Sequence, residues 1–363
     1  MTVRVALVFG GRSSEHEISC ATAAGVLAAL DRSSFEVVPI GITKEGAFTL
    51  QPDDPEFFRM NPAAMPTVPD NGTRVLWPSS AVSREVVVIH PDSRFESLGD
   101  IDVAFPLLHG PFGEDGSIQG MWDLVGLPYI GSGVLASASA MDKHATKTLL
   151  TAAGIAVAPW VTFTREEWTA DPAQGMARTR GLGLPVFVKP ARAGSSVGVT
   201  KVKSWDALEA ALGIAWAESR VALVERAMLG REIECGVLSS RTPGAPPRVS
   251  LPGEIVIHGR EFYDYEAKYL DGGAAELICP THLRDDELRE MQRVASRVFK
   301  TIGCDGLARV DFFYDGATFV VNELNTMPGF TPISMFPKCW EASGLSYPAL
   351  ITELIDLAFI SRR

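Results

Sequence analysis

The chain has 363 residues, long enough for two or three units of ~100 to 200 residues, each with its own core. A composition of 46% hydrophobic and 21% charged residues is that of a folded globular protein, and no apolar run reaches the length of a membrane span. Lys plus Arg total 33 against 44 Asp plus Glu, a formal net charge of −11, which argues against general attraction to nucleic acid or anionic lipid. An anionic ligand therefore needs a local cluster of positive charge. Cys20, Cys235, Cys279, Cys304 and Cys339 are odd in number and scattered, without paired metal-ligand spacing, so free thiols in a reducing compartment are expected. The N-terminus lacks the basic, apolar, small-residue order of a secretory signal, and the expected location is the cytoplasm.

In chain order, residues 3–9 form a short apolar strand pattern that ends at Gly10 and Gly11. A polar turn, helical spacing over 18–30 and a second strand over 36–42 follow, which predicts an opening βαβ unit. Residues 51–83 carry many prolines and little periodicity, the pattern of an irregular insertion or an edge hairpin. Strand patterns resume at 85–90 and 103–107, and the first unit is expected to close near Ser139. A helix over 142–153, strands at 158–163, 186–189, 197–202 and 222–225, and a helix over 205–218 predict a mixed middle unit. Beyond Glu232 come interrupted strands, a loop rich in Tyr and charge over 259–273, a helix over 285–302, a strand pair within 307–325 and a last helix from Tyr347. The class is mixed α and β, with boundaries expected at 1–139, 140–231 and 232–363.

Three loops carry candidate chemistry. The first strand opens into Gly10, Gly11, Arg12, Ser13, Ser14, Glu15, His16 and Glu17. Glycines at a strand-to-helix turn let backbone N–H groups approach a ligand, and a helix N-terminus favours an anion. A nicotinamide site is disfavoured, because the spacing is not G-x-G-x-x-G and the second strand ends without a ribose-binding acid. Ser14 with Glu17 as a capping box is the plainer alternative. The loop from His109 to Gly116 follows a strand directly, where ligands of open sheets bind; a glycine-rich turn with solvated acids is the plainer alternative there. In the middle unit Lys189 precedes Ala191, Arg192, Ala193, Gly194, Ser195, Ser196, Val197 and Gly198. Small residues let amides and two hydroxyls fold over phosphate oxygens beside a lysine, although the lysine precedes the glycines and a P-loop is thereby disfavoured. Lys143 at the start of a helix, where the dipole opposes it, hints at an anion partner.

The strand pair near the C-terminus is the sharpest signal. Arg309 and Asp311 are two apart, as are Glu323 and Asn325, so each pair shares one side of its strand. Three oxygen ligands suit magnesium. A two-residue turn at Asp315 and Gly316 would turn Glu323 to the other face, whereas an odd-length connection or one bulge lets all four residues converge. The odd connection is the expected one.

With these residues in hand, the chain resembles the ATP-grasp enzymes, and within them it is similar to the D-alanine:D-alanine ligase family. The likeness runs through Gly10 to Ser19, His109 to Gly120, Met141 to Lys143, Lys189 to Gly198, Phe262 to Leu270 and Asn322 to Gly329. It implies an ATP-grasp fold behind an N-terminal Rossmann-like open sheet, and ATP-driven joining of two D-alanines through an acyl phosphate for peptidoglycan precursor synthesis. It implies that Glu15 holds the first D-alanine's ammonium and that Ser195 and Tyr269 link with it to close the loop over 259–273. Lys143, Lys189 and Lys268 would neutralise ATP phosphates, with Ser196 over them, Glu225 by the adenine and Glu232 by the ribose. Asp311, Glu323 and Asn325 would ligate two Mg²⁺ ions, with Mn²⁺ as a substitute. Arg309 and the amide of Gly329 would stabilise the oxyanion, and Ser334 would meet the second carboxylate. A homodimer is implied, with no nucleic acid or membrane partner. The alternatives are a ligase that takes D-lactate as acceptor, and a nucleotide-binding protein of this fold without turnover.

Overall fold

The computed structural model describes residues 2–61, 63–257 and 275–361, so the whole of the loop expected over 259–273 lies outside the described residues. The opening βαβ unit is present. Strand Val3–Gly10 lies between the parallel strands Phe35–Ile42 and Val103–Pro106, and Phe48–Leu50 adds an antiparallel edge. Near-continuous apolar sequence is what a parallel strand covered on both faces requires. Val5, Leu7 and Phe9 pack toward helix His16–Ala29 through Cys20, Ala23 and Leu27, while Ala6 and Val8 pack on the other face with Val86, Trp122 and Tyr129. The cluster under the first face also contains Leu350, Ile351 and Leu354 of helix Tyr347–Ser361. The two ends of the described chain thus share one core.

The proline-rich stretch contributes an edge strand, Arg74–Leu76, which pairs with Glu85–Ile89 and through it with Phe95–Asp100. Its short helical turn Pro55–Phe58 buries Phe58 edge-on against Phe9, with centroids 4.7 Å apart. The middle sheet runs Thr200–Val202, Val186–Pro190, Val221–Arg226, Trp160–Thr164, all antiparallel. Its first strand is shorter than the predicted 197–202 because Val197 and Val199 donate to the carbonyls of Gly194 and Ser196 in turns. The C-terminal sheet runs Ala275–Ile278, Gly253–Ile257, Arg231–Leu238, Leu307–Tyr314, Phe319–Asn325. Helix Asp285–Ile302 covers one face, seating Met291, Val298 and Ile302 against Ile233, Val310 and Phe312.

The last strand pair corrects the expected odd-length connection. The loop holds four residues, Asp315 to Thr318, and Phe313 pairs with Val320. On that register alone Glu323 and Asn325 would face away from Asp311. A bulge supplies the missing residue: Phe312 pairs with Val321, Asn322 is skipped, and Asp311 then faces Glu323 and Arg309 faces Asn325. The core side confirms the slip, because Phe319, Val321 and Leu324 all reach the same cluster.

All five cysteines are free thiols, although the Sγ atoms of Cys279 and Cys339 stand 3.7 Å apart. Among the described residues no single helix is long and apolar enough to cross a membrane. The shared core predicts that Leu354→Ala, at a fully buried position, lowers the unfolding free energy by about 2–5 kcal/mol in urea titrations.

Candidate functional site

A cavity of about 270 Å³ opens between the first helix, the loop after Lys189 and the C-terminal sheet, with Glu15, Ser195, Arg309, Glu323, Asn325 and Ser334 on its walls. Its geometry follows from the three elements that meet there.

Lys143 lines the cavity, and two further lysines cluster on Glu225 outside its lining. Lys189, on strand Val186–Pro190, points its Nζ at Glu225 Oε1 (2.8 Å), and Lys147 approaches Oε2 of the same carboxylate (2.6 Å). Glu225 and Lys147 are each only 3% exposed. Burial opposes the charge on Glu225, but the two lysines outweigh it and hold its carboxyl down at about 2. Burial lowers Lys147, while Glu225 keeps Lys189 raised against the same penalty. Glu323 and Glu232 add to the field that keeps Lys189 charged, so the lysines face several carboxylates at once. Lys147 escaped the sequence reading, yet it lies four residues after Lys143, one turn along helix Lys143–Ala152. Lys143 itself donates from Nζ to the carbonyl of Ala193 (2.7 Å), gripping the loop that carries Ser195 and Ser196. Both serines stand in left-handed backbone conformations, φ 50° and 60°, a strained arrangement for non-glycine residues and one that clusters at ligand clamps.

The opposite wall is acidic. Arg309 forms a two-pronged pair with Asp311, both contacts 2.7 Å, and its Nε lies 3.1 Å from Glu234 Oε2. Asn325 Nδ2 donates to Asp311 Oδ2 (3.0 Å). Burial works against the guanidinium, but Asp311 and then Glu234 raise it well above its ordinary value. Glu234 pairs across the ladder with Asp311 and so shares its face. Sequence reading missed it, although Ile233, Cys235 and Val237 on the core side already turn Glu232 and Glu234 the other way. Glu232 pairs with Phe313 one step further along and adds to the field that favours a charged Lys189.

The third side comes from the N-terminal unit. Glu15 is the N-cap of helix His16–Ala29 but makes no side-chain cap bond, and the capping box of Ser14 with Glu17, the alternative reading of this turn, is absent. Glu17 instead pairs with Lys44 (2.5 Å). The Glu15 carboxylate lies against the middle loop so closely that a Cβ at Gly194 would come within 3.0 Å of it, which places it beside Ser195. The acids of the His109 loop are not simply solvated. Glu114 accepts from the Gly110 amide (2.9 Å), and burial, then the neighbouring Glu15 charge, push its carboxyl up to about 8. His109 is buried, with Nδ1 against the carbonyl of Met327 (3.1 Å) and Nε2 without a hydrogen-bond partner. A carbonyl only accepts, so Nδ1 carries the proton and the orphaned Nε2 is left for a ligand. Gly329 and Ser334 are neighbours; a Cβ at 329 would stand 3.2 Å from the serine hydroxyl, which Thr331 Oγ1 meets at 2.7 Å.

Lys268 and Tyr269 lie outside the described residues. No three His, Cys, Asp or Glu side chains form a ready-made metal cage among the described residues. Two carboxylates and an amide on one sheet face nonetheless suit Mg²⁺, which takes few protein oxygens and completes its shell with phosphate and water.

Two pH effects follow. The depressed Glu225 carboxyl contributes stability that is complete above the ordinary 4.5 and lost as pH falls toward about 2. Glu225→Gln should therefore flatten the acid limb of a stability–pH curve measured by denaturant titration. Glu114 has the opposite sign. The folded chain keeps a proton that the unfolded chain releases near 4.5, so stability falls as pH rises toward about 8. Glu114→Gln should remove that decline in melting temperatures taken from about pH 4.5 to about 8.

Family models described as "D-ala D-ala ligase N-terminus" and "D-ala D-ala ligase C-terminus" match residues 4–132 and 149–356. A D-alanine--D-alanine ligase of Kineococcus radiotolerans is 51% identical over 98% of this chain and 96% of that protein. One from Mycolicibacterium vanbaalenii is 48% identical over 98% and 97%. Among solved structures, the D-alanine-D-alanine ligase from Coxiella burnetii superposes with a TM-score of 0.82 at 34% identity, covering 99% of this chain and 95% of the other. The VanG D-Ala:D-Ser ligase from Enterococcus faecalis gives 0.84 at 32%, covering 99% and 100%. Both halves of the sequence, and the fold that joins them around this cavity, place the chain in the D-alanine–D-alanine ligase family.

Proposed function

We propose that the chain is an ATP-dependent ligase that joins two D-alanines into the dipeptide used for peptidoglycan precursors. The observation that carries this reading is the bulged strand pair, which turns Arg309, Asp311, Glu323 and Asn325 to one face of the sheet, with Lys143 and Ser195 on the walls of the same cavity. A carboxylate oxygen of the first D-alanine attacks the γ-phosphorus of ATP, giving an acyl phosphate and ADP. The amine of the second then attacks the acyl carbon, loses a proton and expels phosphate. Phosphoryl transfer needs positioning and charge neutralisation more than a protein nucleophile.

Lys143, Lys189 and Ser196 serve the phosphates, and Glu232 serves the ribose. Glu225 does two things in this reading: it borders the adenine, and it holds Lys189 and Lys147 in place. Asp311, Glu323 and Asn325 hold Mg²⁺, two ions in the family pattern or Mn²⁺ in their stead, and the metal supplies neutralisation of phosphate charge. Glu15 takes the ammonium of the first D-alanine beside Ser195. Arg309 and the Gly329 amide face the developing oxyanion, and Ser334 meets the second carboxylate. Lys268 and Tyr269 complete the phosphate and lid functions by family likeness. The same likeness supports units at 1–139, 140–231 and 232–363, a homodimer and a cytoplasmic location.

Purified protein with ATP, Mg²⁺ and D-alanine should release phosphate and dipeptide in equal amounts. Phosphate release only when D-lactate is the acceptor, or none with either, would reject the reading in favour of an ester-forming ligase or a silent nucleotide binder. Arg309→Ala should slow turnover by about 10²–10³-fold. It should also lower the melting temperature, because Asp311 and Glu234 would be left facing each other without their cation.

A further inference from the structure

We propose that Glu234 is a positioning residue that keeps Arg309 in the site when Asp311 turns from the guanidinium to a phosphate-bound divalent cation; this deepens the ligase reading and rests on it. An ionised carboxylate has about four lone-pair sites. On Asp311 the two prongs of Arg309 and the Asn325 amide already engage both oxygens. Those three donors take three of the four sites, so a cation that engages Asp311 through more than one lone pair must displace a donor, and Arg309 holds the larger share.

A guanidinium only 17% exposed is poorly solvated once released from its carboxylate, and a second carboxylate in contact compensates for the loss. Glu234 is in contact already, 3.1 Å from Nε, and at 6% exposure it is itself too buried to swing into solvent. Glu323 adds longer-range attraction but belongs to the metal set. The strand that carries Glu234 is fixed from behind. Ile233 and Cys235 are buried in the core, and a Cβ at Gly236, the partner of Arg309 in the ladder, would meet Trp340 at 2.4 Å. Glu234 is therefore a rigid second handle. It shares the guanidinium with Asp311, so the cation does not compete with the whole of one tight pair, and it holds the guanidinium beside the cavity afterwards.

The test uses the full chain and Glu234→Gln, which keeps the shape and removes the charge, with Glu234→Asp as the variant that restores charge. Mn²⁺ binding in the presence of ADP, followed by electron paramagnetic resonance, should weaken by ~10-fold in the Gln variant, and the Asp variant should recover most of it. Turnover should fall by a similar ~10-fold factor while KM for D-alanine moves by less than ~2-fold, the pattern of an interaction used after substrate binds. Mn²⁺ binding and turnover equal to the parent's in Glu234→Gln, or a lower melting temperature as the variant's only change, would overturn the proposal. Should the parent chain form no dipeptide, the ligase reading fails on its own, and the Mn²⁺ titration still decides whether Glu234 governs the cation site.

Discussion

The extra residue at Asn322 decides which way Glu323 and Asn325 point, and the candidate site is arranged around that decision. Before the bulge the last strand pairs in a register that would send both to the opposite side of the sheet from Asp311; after it they face Asp311 and Arg309 directly. Because side chains alternate with a period of two, one inserted residue reverses every position beyond it. The core tolerates this because the apolar series slips as well: Val321 and Leu324 are three apart, and both remain buried.

The cavity separates charge. Toward the middle loop stands Lys143, with Lys147 and Lys189 clustered on Glu225 outside the lining; toward the C-terminal sheet Asp311, Glu234 and Glu323 outnumber Arg309. Neither wall is balanced by itself. A polyphosphate fits the first, and a divalent cation bound to that polyphosphate fits the second. In the proposed reading a metal and a nucleotide would bind on the two sides of this gradient, each electrostatically favourable to the other. Protonated Glu114 belongs to the same arrangement, since a third ionised carboxylate beside Glu15 and within reach of Glu323 would repel both.

Most elements around the site were readable from periodicity. The βαβ opening, the strands around Lys189 and the helix over 285–302 fall within a few residues of their expected places. The short helices Val134–Met141 and Met335–Ala342 were not read. The first is rich in Ala and Ser with no apolar stripe, and the second packs Phe336, Cys339 and Trp340 inward as a nearly continuous apolar patch. The charged residues followed the same rule. Arg309, Asp311, Glu323 and Asn325 announce themselves by spacing, whereas Glu234 and Lys147 matter through partners distant in sequence. Their only local cues are the alternation around Ile233 and the helical step from Lys143. The loop parity was misjudged because a bulge and an odd loop correct the register equally well, and only the interval from Val321 to Leu324 tells them apart.

The union of Val5, Leu7 and Phe105 with Leu350, Ile351 and Leu354 in one cluster has a consequence for biosynthesis. The first sheet leaves the ribosome long before helix Tyr347–Ser361, so part of the face it shares with helix His16–Ala29 stays uncovered until that later helix emerges. The opening unit can form its strand ladder early, but it acquires its final hydrophobic seal only when helix Tyr347–Ser361 arrives. Maturation of the opening unit is in this sense tied to a segment synthesised far downstream of it.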